Sequence, residues 1–208
     1  MSHRIKKGEI GVALLTLAYI AGFTVWFLSI GNYEFIFYVL TMLGLMLLVG
    51  LSLQAAAFPL PMLWALSIWG LLHMAGGGIP ANGAVLYNLV IAPIYNSEEI
   101  VILKYDQAVH AYGFGVTAWL LHHLLTRHFP EAAGTATALV YPALGAMGLG
   151  AANEMIEFTA VLLVPDTNVG GYTNTALDLC FNALGAVVAV IVLAFLPADR
   201  SERMRNDT

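Results

Sequence analysis

Six long runs of apolar residues, broken by short polar stretches, divide the chain at roughly Ile10–Ile30, Phe35–Leu53, Pro59–Gly76, Asp106–Leu125, Thr135–Val164 and Thr175–Leu196. Each is near the about 20 residues that a helix needs to cross a hydrocarbon core. The fifth is too long for one straight helix, and Pro142 inside it lacks a backbone donor, which predicts a kink or a late start. The connections Gly31–Glu34 and Gln54–Phe58 are short, so the first three runs form an up-down-up set. The longest connection is Ile79–Tyr105. The pattern predicts an all-α fold: a polytopic membrane helical bundle of about six transmembrane helices, in one membrane domain over residues 1–208.

Composition agrees with the pattern. Of the 208 residues 60% are hydrophobic and 10% charged, with a mean hydropathy of +0.80. Soluble domains carry about 25% charged residues, so a water-facing surface cannot be covered with what is left. Eight Lys and Arg exclude a basic nucleic-acid surface, and a single cysteine excludes a disulfide framework. Membrane lipids are the expected surroundings and partners.

The few positive charges set an expected orientation. Arg4, Lys6, Lys7, Arg127, Arg200, Arg203 and Arg205 fall on one side of the six runs and only Lys104 on the other. Both termini are therefore expected in the cytoplasm, with the long loop and its Glu98 and Glu99 outside. The first run exceeds the apolar core of a signal peptide and no cleavage pattern follows at Ser29–Tyr33, so an uncleaved anchor is expected. Trp26, Tyr33, Phe35 and Tyr38 read as an aromatic belt at the outer interface.

Ionisable residues inside a membrane are costly and mark function by default. His73 ends the third run on the outer side. Asp106 opens the fourth, with His110 one turn deeper. Asn153, Glu154 and Glu157 lie in the outer half of the fifth, and Asp178 and Asn182 in the first turns of the sixth. Asp106/His110 and Asp178/Asn182 are spaced i,i+4 and Glu154/Glu157 i,i+3, so each pair shares a helix face. Four helices that present polar groups at one depth describe a single outer-leaflet pocket.

Carboxylates and imidazoles projecting inward from facing helices are also how bundles hold metals. Four carboxylates at low dielectric cannot all stay ionised without compensation. Oxygen and imidazole donors without thiolate suit one divalent transition metal: Zn, Mn or Fe. His73, His110, Glu154 and Glu157 are the expected ligands. Asp106 and Asp178 are the expected catalytic groups, orienting a ligand or accepting a proton, and Asn182 and Asn153 the expected substrate contacts.

Blander roles compete residue by residue. Asn153 and Asn182 could be interhelical glue, and Asp106 and Asp178 could cap helix N-termini. Neither explains two glutamates a turn apart in mid-leaflet. Gly145, Gly148 and Gly150, with Ala151 and Ala152, form a small-residue stripe suited to close helix approach or to a homo-oligomer. The Gly76–Gly78 run reads as a helix stop, Cys180 as a packed apolar residue, and His122 and His123 as interfacial groups reaching headgroups or water.

His73-Met-Ala-Gly-Gly, Tyr105-Asp106-Gln-Ala-Val-His110-Ala-Tyr-Gly-Phe, Asn153-Glu154-Met-Ile-Glu157-Phe and Asp178-Leu-Cys-Phe-Asn182-Ala-Leu-Gly185-Ala together resemble the YjdF-type small bacterial inner-membrane proteins. The Asp-x-x-x-His, glutamate and Asp-x-x-x-Asn-x-x-Gly elements are similar, more distantly, to the VanZ-like group. The resemblance covers about residues 70–197, while residues 10–69 carry no motif. It implies a helical membrane protein, and the VanZ-like likeness implies an association with glycopeptide resistance. This chain reads Asn174-Thr175 where family members tend to carry Asp-Thr, and it lacks the VanZ-like arginine within Pro165–Thr175.

Three functions are compatible with these residues. A metal-dependent membrane enzyme would act on lipids or lipid-linked envelope precursors, which reach an outer-leaflet pocket laterally. A non-catalytic envelope factor would use the pocket to bind a headgroup or fix packing. An ion- or proton-coupled transporter fits least, since no charged path continues inward between His110 and His122 and no internal repeat is detected.

Overall fold

The computed structural model describes residues 5–32, 34–97, 100–163 and 170–196. Tyr33, Glu98, Glu99, Val164 and the terminal Arg4, Arg200, Arg203 and Arg205 lie outside them. Six helices form a membrane bundle: α1 (Lys7–Ser29), α2 (Glu34–Ala56), α3 (Leu60–Gly78), α4 (Tyr105–His128), α5 (Thr137–Leu163) and α6 (Tyr172–Phe195). Each expected run becomes one helix, shifted by a few residues at its ends.

Five of the six are long and apolar enough to cross a membrane on hydropathy alone. The exception is α4, whose 24 residues include Asp106, Gln107, His110, His122, His123, Arg127 and His128. It is the helix with polar groups at both ends, and it packs against α3, α5 and α6. Pro142 is accommodated early in α5, which begins at Thr137 and runs through it.

The long loop is not irregular throughout. Asn82 and Gly83 both take positive φ, 47° and 81°, and join the two-residue strands β1 (Pro80–Ala81) and β2 (Ala84–Val85) in an antiparallel hairpin. Two central residues at positive φ match the right-handed twist of the flanking strands. A short 3-10 turn, Leu86–Asn88, follows. Then β3 (Val90–Asn96) and β4 (Val101–Lys104) pair antiparallel, with an irregularity between Val90 and Tyr95. This ribbon leads directly into α4.

Three clusters hold the bundle. Towards the loop end, Tyr19, Ile20, Phe27, Phe35, Tyr38, Val39 and Met74 bury an aromatic core between α1, α2 and α3. Towards the opposite end, Val12, Ala56, Phe58, Met62 and Leu63 pack with Trp119 and Leu124. There the last two turns of α4 close the C-terminus of α2: His123 Nε2 donates to the Ala56 carbonyl at 2.9 Å and Arg127 Nε to that of Ala55 at 2.8 Å. Side-chain donors at a helix C-terminus satisfy orphan carbonyls, and the Arg127 guanidinium also opposes the helix dipole. His123 is thus engaged with α2 instead of with headgroups.

The third cluster is a seam of small residues, Ala118, Ala146 and Ala186, where α4, α5 and α6 meet. A Cβ on Gly185 of α6 would collide with the Ala111 carbonyl of α4, and one on Gly150 of α5 would lie 2.7 Å from Asn182 Nδ2. These glycines let backbones approach closely enough for polar side chains to meet. Cys180 was expected to pack inside; it lies exposed on the other face of α6. Apolar side chains such as Val25, Leu51 and Leu162 are likewise exposed, as a lipid-facing surface requires.

Candidate functional site

The site is assembled at the junction between β4 and α4. Gln107, fully buried, accepts from the backbone N–H of Leu103 at 2.7 Å and of Lys104 at 3.1 Å, and donates to the Val101 carbonyl at 3.0 Å. A glutamine at the third helical position caps the free N–H groups of a helix start. It also offsets the cost of Leu103, held at φ 77° in the left-handed region. The result fixes where Lys104 and Asp106 leave the backbone.

His110 lies at the centre. Its Nδ1 is 2.9 Å from Asn182 Oδ1 and 3.7 Å from Glu154 Oε1. Its Nε2 is 3.5 Å from Asp106 Oδ1. The last two separations are too long for good hydrogen bonds. They are close to the about 3.4 Å between two donors that each sit about 2.1 Å from one tetrahedral ion. Among the described residues two groups have one donor atom each within 4.8 Å of one another: Asp106, His110 and Asp178, and His110, Glu154 and Glu157. Both share His110.

Burial sharpens the chemistry. Asp178 is 0%, Asn182 1% and Glu154 7% exposed, yet Asp178 Oδ1, Asn182 Nδ2 and both Glu154 oxygens take part in no hydrogen bond. Asn153 gives its amide to Glu157 Oε1 at 2.9 Å. Buried polar atoms left unpaired are costly, and a cation would satisfy the carboxylates at once.

A network absent from the sequence reading ties the acids together. Asn174 Nδ2 donates to Asp178 Oδ2 at 2.5 Å and to Asp106 Oδ2 at 3.3 Å. Lys104 Nζ donates to Asn174 Oδ1 at 2.6 Å. Asn174 holds this place because α6 begins at Tyr172, a turn earlier than the apolar run indicates.

The structure brings together Asp106, His110, Glu154, Glu157, Asp178 and Asn182, with Asn153 at their edge. His73 is in neither donor group. Its Nδ1 meets the Tyr87 hydroxyl at 2.5 Å, Tyr87 also donates to the His73 carbonyl at 2.8 Å, and the ring packs edge-on against Tyr38 and Tyr87. Burial, and then the nearby Asp106 and Glu157, hold the Tyr87 phenol well above its ordinary pKa, so it stays a neutral donor. His73 and His110 do line one small cavity with Trp69, Val109, Phe114 and Asn153, about 10 Å³, enough for roughly one water.

A family model described as "Predicted membrane protein (DUF2238)" matches residues 11–199. The chain belongs to this family, DUF2238. YjdF-like proteins are its known group, so that part of the resemblance holds, whereas nothing supports the VanZ-like part. The DUF2238 match begins in α1, so the family takes in the first two helices as well as the motif-bearing residues 70–197. No curated protein and no solved structure matches the chain. The family description names no reaction.

Proposed function

We propose that this DUF2238 member holds one divalent transition metal, Zn, Mn or Fe, around His110, and uses it on the headgroup region of membrane lipids or lipid-linked envelope molecules. The observation that carries the reading is the convergence of four carboxylates on one buried imidazole with acceptor oxygens left unpaired. The uneven distribution of Lys and Arg supports an inner-membrane protein with both termini in the cytoplasm and the site at the outer leaflet.

A bound divalent ion polarises an ester or phosphoester and lowers the pKa of coordinated water. Around it, Asp106 and Glu157, only partly buried, face the route by which a headgroup would arrive, and Lys104 beside Asn174 suits an anionic headgroup. Glu154 is buried beside His110 Nδ1, where it would support the imidazole that holds the ion.

A second reading, a metal that fixes helix packing or binds a headgroup without reaction, is favoured by one observation: the cavity beside His110 has room for about one water and none for a substrate. The discriminating experiment reconstitutes metal-loaded protein in vesicles of phosphatidylethanolamine and phosphatidylglycerol and follows release of headgroup or phosphate. Enzymatic action predicts release that stops with chelator and in His110→Ala. Full metal occupancy with no release from these lipids or from added lipid-linked precursors would support the non-catalytic reading.

A further inference from the structure

Two donor groups share one histidine, and an imidazole nitrogen that carries a proton cannot also bind an ion. We infer that the ion is held on the Nε2 side of His110, by Asp106 Oδ1, His110 Nε2 and Asp178 Oδ1, with Asn182 and Asn174 as positioning residues. This rests on the metal reading above and says where in that site the ion lies.

Hydrogen-bond direction leads to this assignment. Asn182 Oδ1, an amide carbonyl oxygen, can only accept, so at 2.9 Å from His110 Nδ1 it requires the proton on Nδ1. The lone pair is then on Nε2, which faces Asp106 Oδ1 at 3.5 Å. A metal-binding histidine usually donates its other N–H to an oxygen that fixes the ring, and Asn182 supplies one here.

On the acid side Asn174 Nδ2 takes the Oδ2 atoms of both Asp106 and Asp178, and Lys104 fixes the amide by binding its oxygen. Asp106 Oδ1 then faces Nε2, and Asp106, His110 and Asp178 each place one donor atom within 4.8 Å of the others. Asp178 Oδ1 belongs to a fully buried side chain and has no hydrogen bond.

The Nδ1 side is occupied differently. Glu157 Oε1 already accepts from Asn153, and Glu154 approaches a nitrogen that bears hydrogen. Glu154 is thereby placed next to the ion's ligand rather than on the ion. Asn182 keeps its place because Gly150 of α5 leaves room for its amide.

The test uses the full chain in mild detergent, loaded with Zn²⁺, and ¹⁵N NMR of its histidine rings. The expected result for His110 is a metal-bound Nε2 and a protonated Nδ1; metal on Nδ1 would overturn the assignment while leaving the metal reading intact. Absence of any bound Zn²⁺ would instead overturn the metal reading itself. Co²⁺ titration followed by visible absorption gives a second readout. Asp178→Asn and Asp106→Asn should weaken binding by about 100-fold or more, and Glu157→Gln by less than about 10-fold. Asn182→Asp, which still accepts from Nδ1, should retain the Co²⁺ spectrum that Asn182→Leu loses. The reverse order of Asp and Glu effects, or equal spectra for the two Asn182 variants, would contradict the inference.

Discussion

Between α1, α2 and α3 contact is made by large side chains, with Phe27, Phe35, Tyr38 and Met74 filling the space. Between α4, α5 and α6 it is made by Ala118, Ala146 and Ala186 and by backbone meeting backbone at Gly185 and Ala111. The first half keeps its buried polar groups few and locally satisfied: Thr16 and Ser67 hydrogen-bond each other at 2.8 Å, and Tyr19 donates to the Ser67 carbonyl at 3.1 Å. The second half leaves Glu154, Asp178 and Asn182 with unpaired buried atoms. Lipid offers little hydrophobic drive between helices, so both halves rely on packing. Only the small-residue half brings backbones near enough for short acids and an imidazole to share one space, at a cost in unpaired polar atoms, and it is the half in which we propose that the ion binds.

Substitutions can separate the halves. The largest effect on stability is expected from Met74→Ala, which empties a fully buried position in the aromatic half. It should cost about 2–5 kcal/mol in denaturant unfolding in detergent and leave metal content unchanged. Loss of metal at intact fold would show that the halves are not independent.

Gly185→Ala places a methyl group against the Ala111 carbonyl. Overpacking costs about 1–3 kcal/mol, and the obstacle here is backbone, so the upper end is expected. Unlike Met74→Ala it should also weaken metal binding, because it separates Asn182 from His110.

Gln107→Ala removes the bonds at the β4–α4 junction and should cost about 0.5–2 kcal/mol, as other lost caps do. Metal affinity should fall with it, through Asp106. The smallest effect is expected at Gly148, where nothing lies within 4 Å of an added Cβ. Gly148→Ala should stay within about 0.5 kcal/mol of the parent; a larger cost would place a neighbour, such as a second copy, on that face.

The six spans were legible because a crossing helix needs one long apolar run and little else. The depth of the site was legible for the same reason, since rise along a helix converts sequence number into depth. Azimuth was not. His73 has the right depth, yet Tyr87, from a segment with no helical periodicity, takes its Nδ1. Asn174 looked like loop because it precedes the apolar run, whereas α6 starts early enough to set it one turn from Asp178. Lys104 was legible only as a topological charge. The loop's first hairpin did leave a sign in the Asn82-Gly83 step, and Gln107 left one in its place three residues after the helix cap. Gly150 and Gly145 were legible as a stripe, but not which partner each faces: Asn182 for one and Leu121 for the other.

The most direct measurement is elemental analysis of the full chain, purified in mild detergent without chelator, beside a His110→Ala variant of unchanged helicity. About one Zn, Mn or Fe per chain, absent from the variant, is the predicted result, with occupancy falling on acidification as protons compete for imidazole and carboxylates. A folded parent that carries no transition metal and takes none up on addition, or a variant that keeps its metal, would contradict the account.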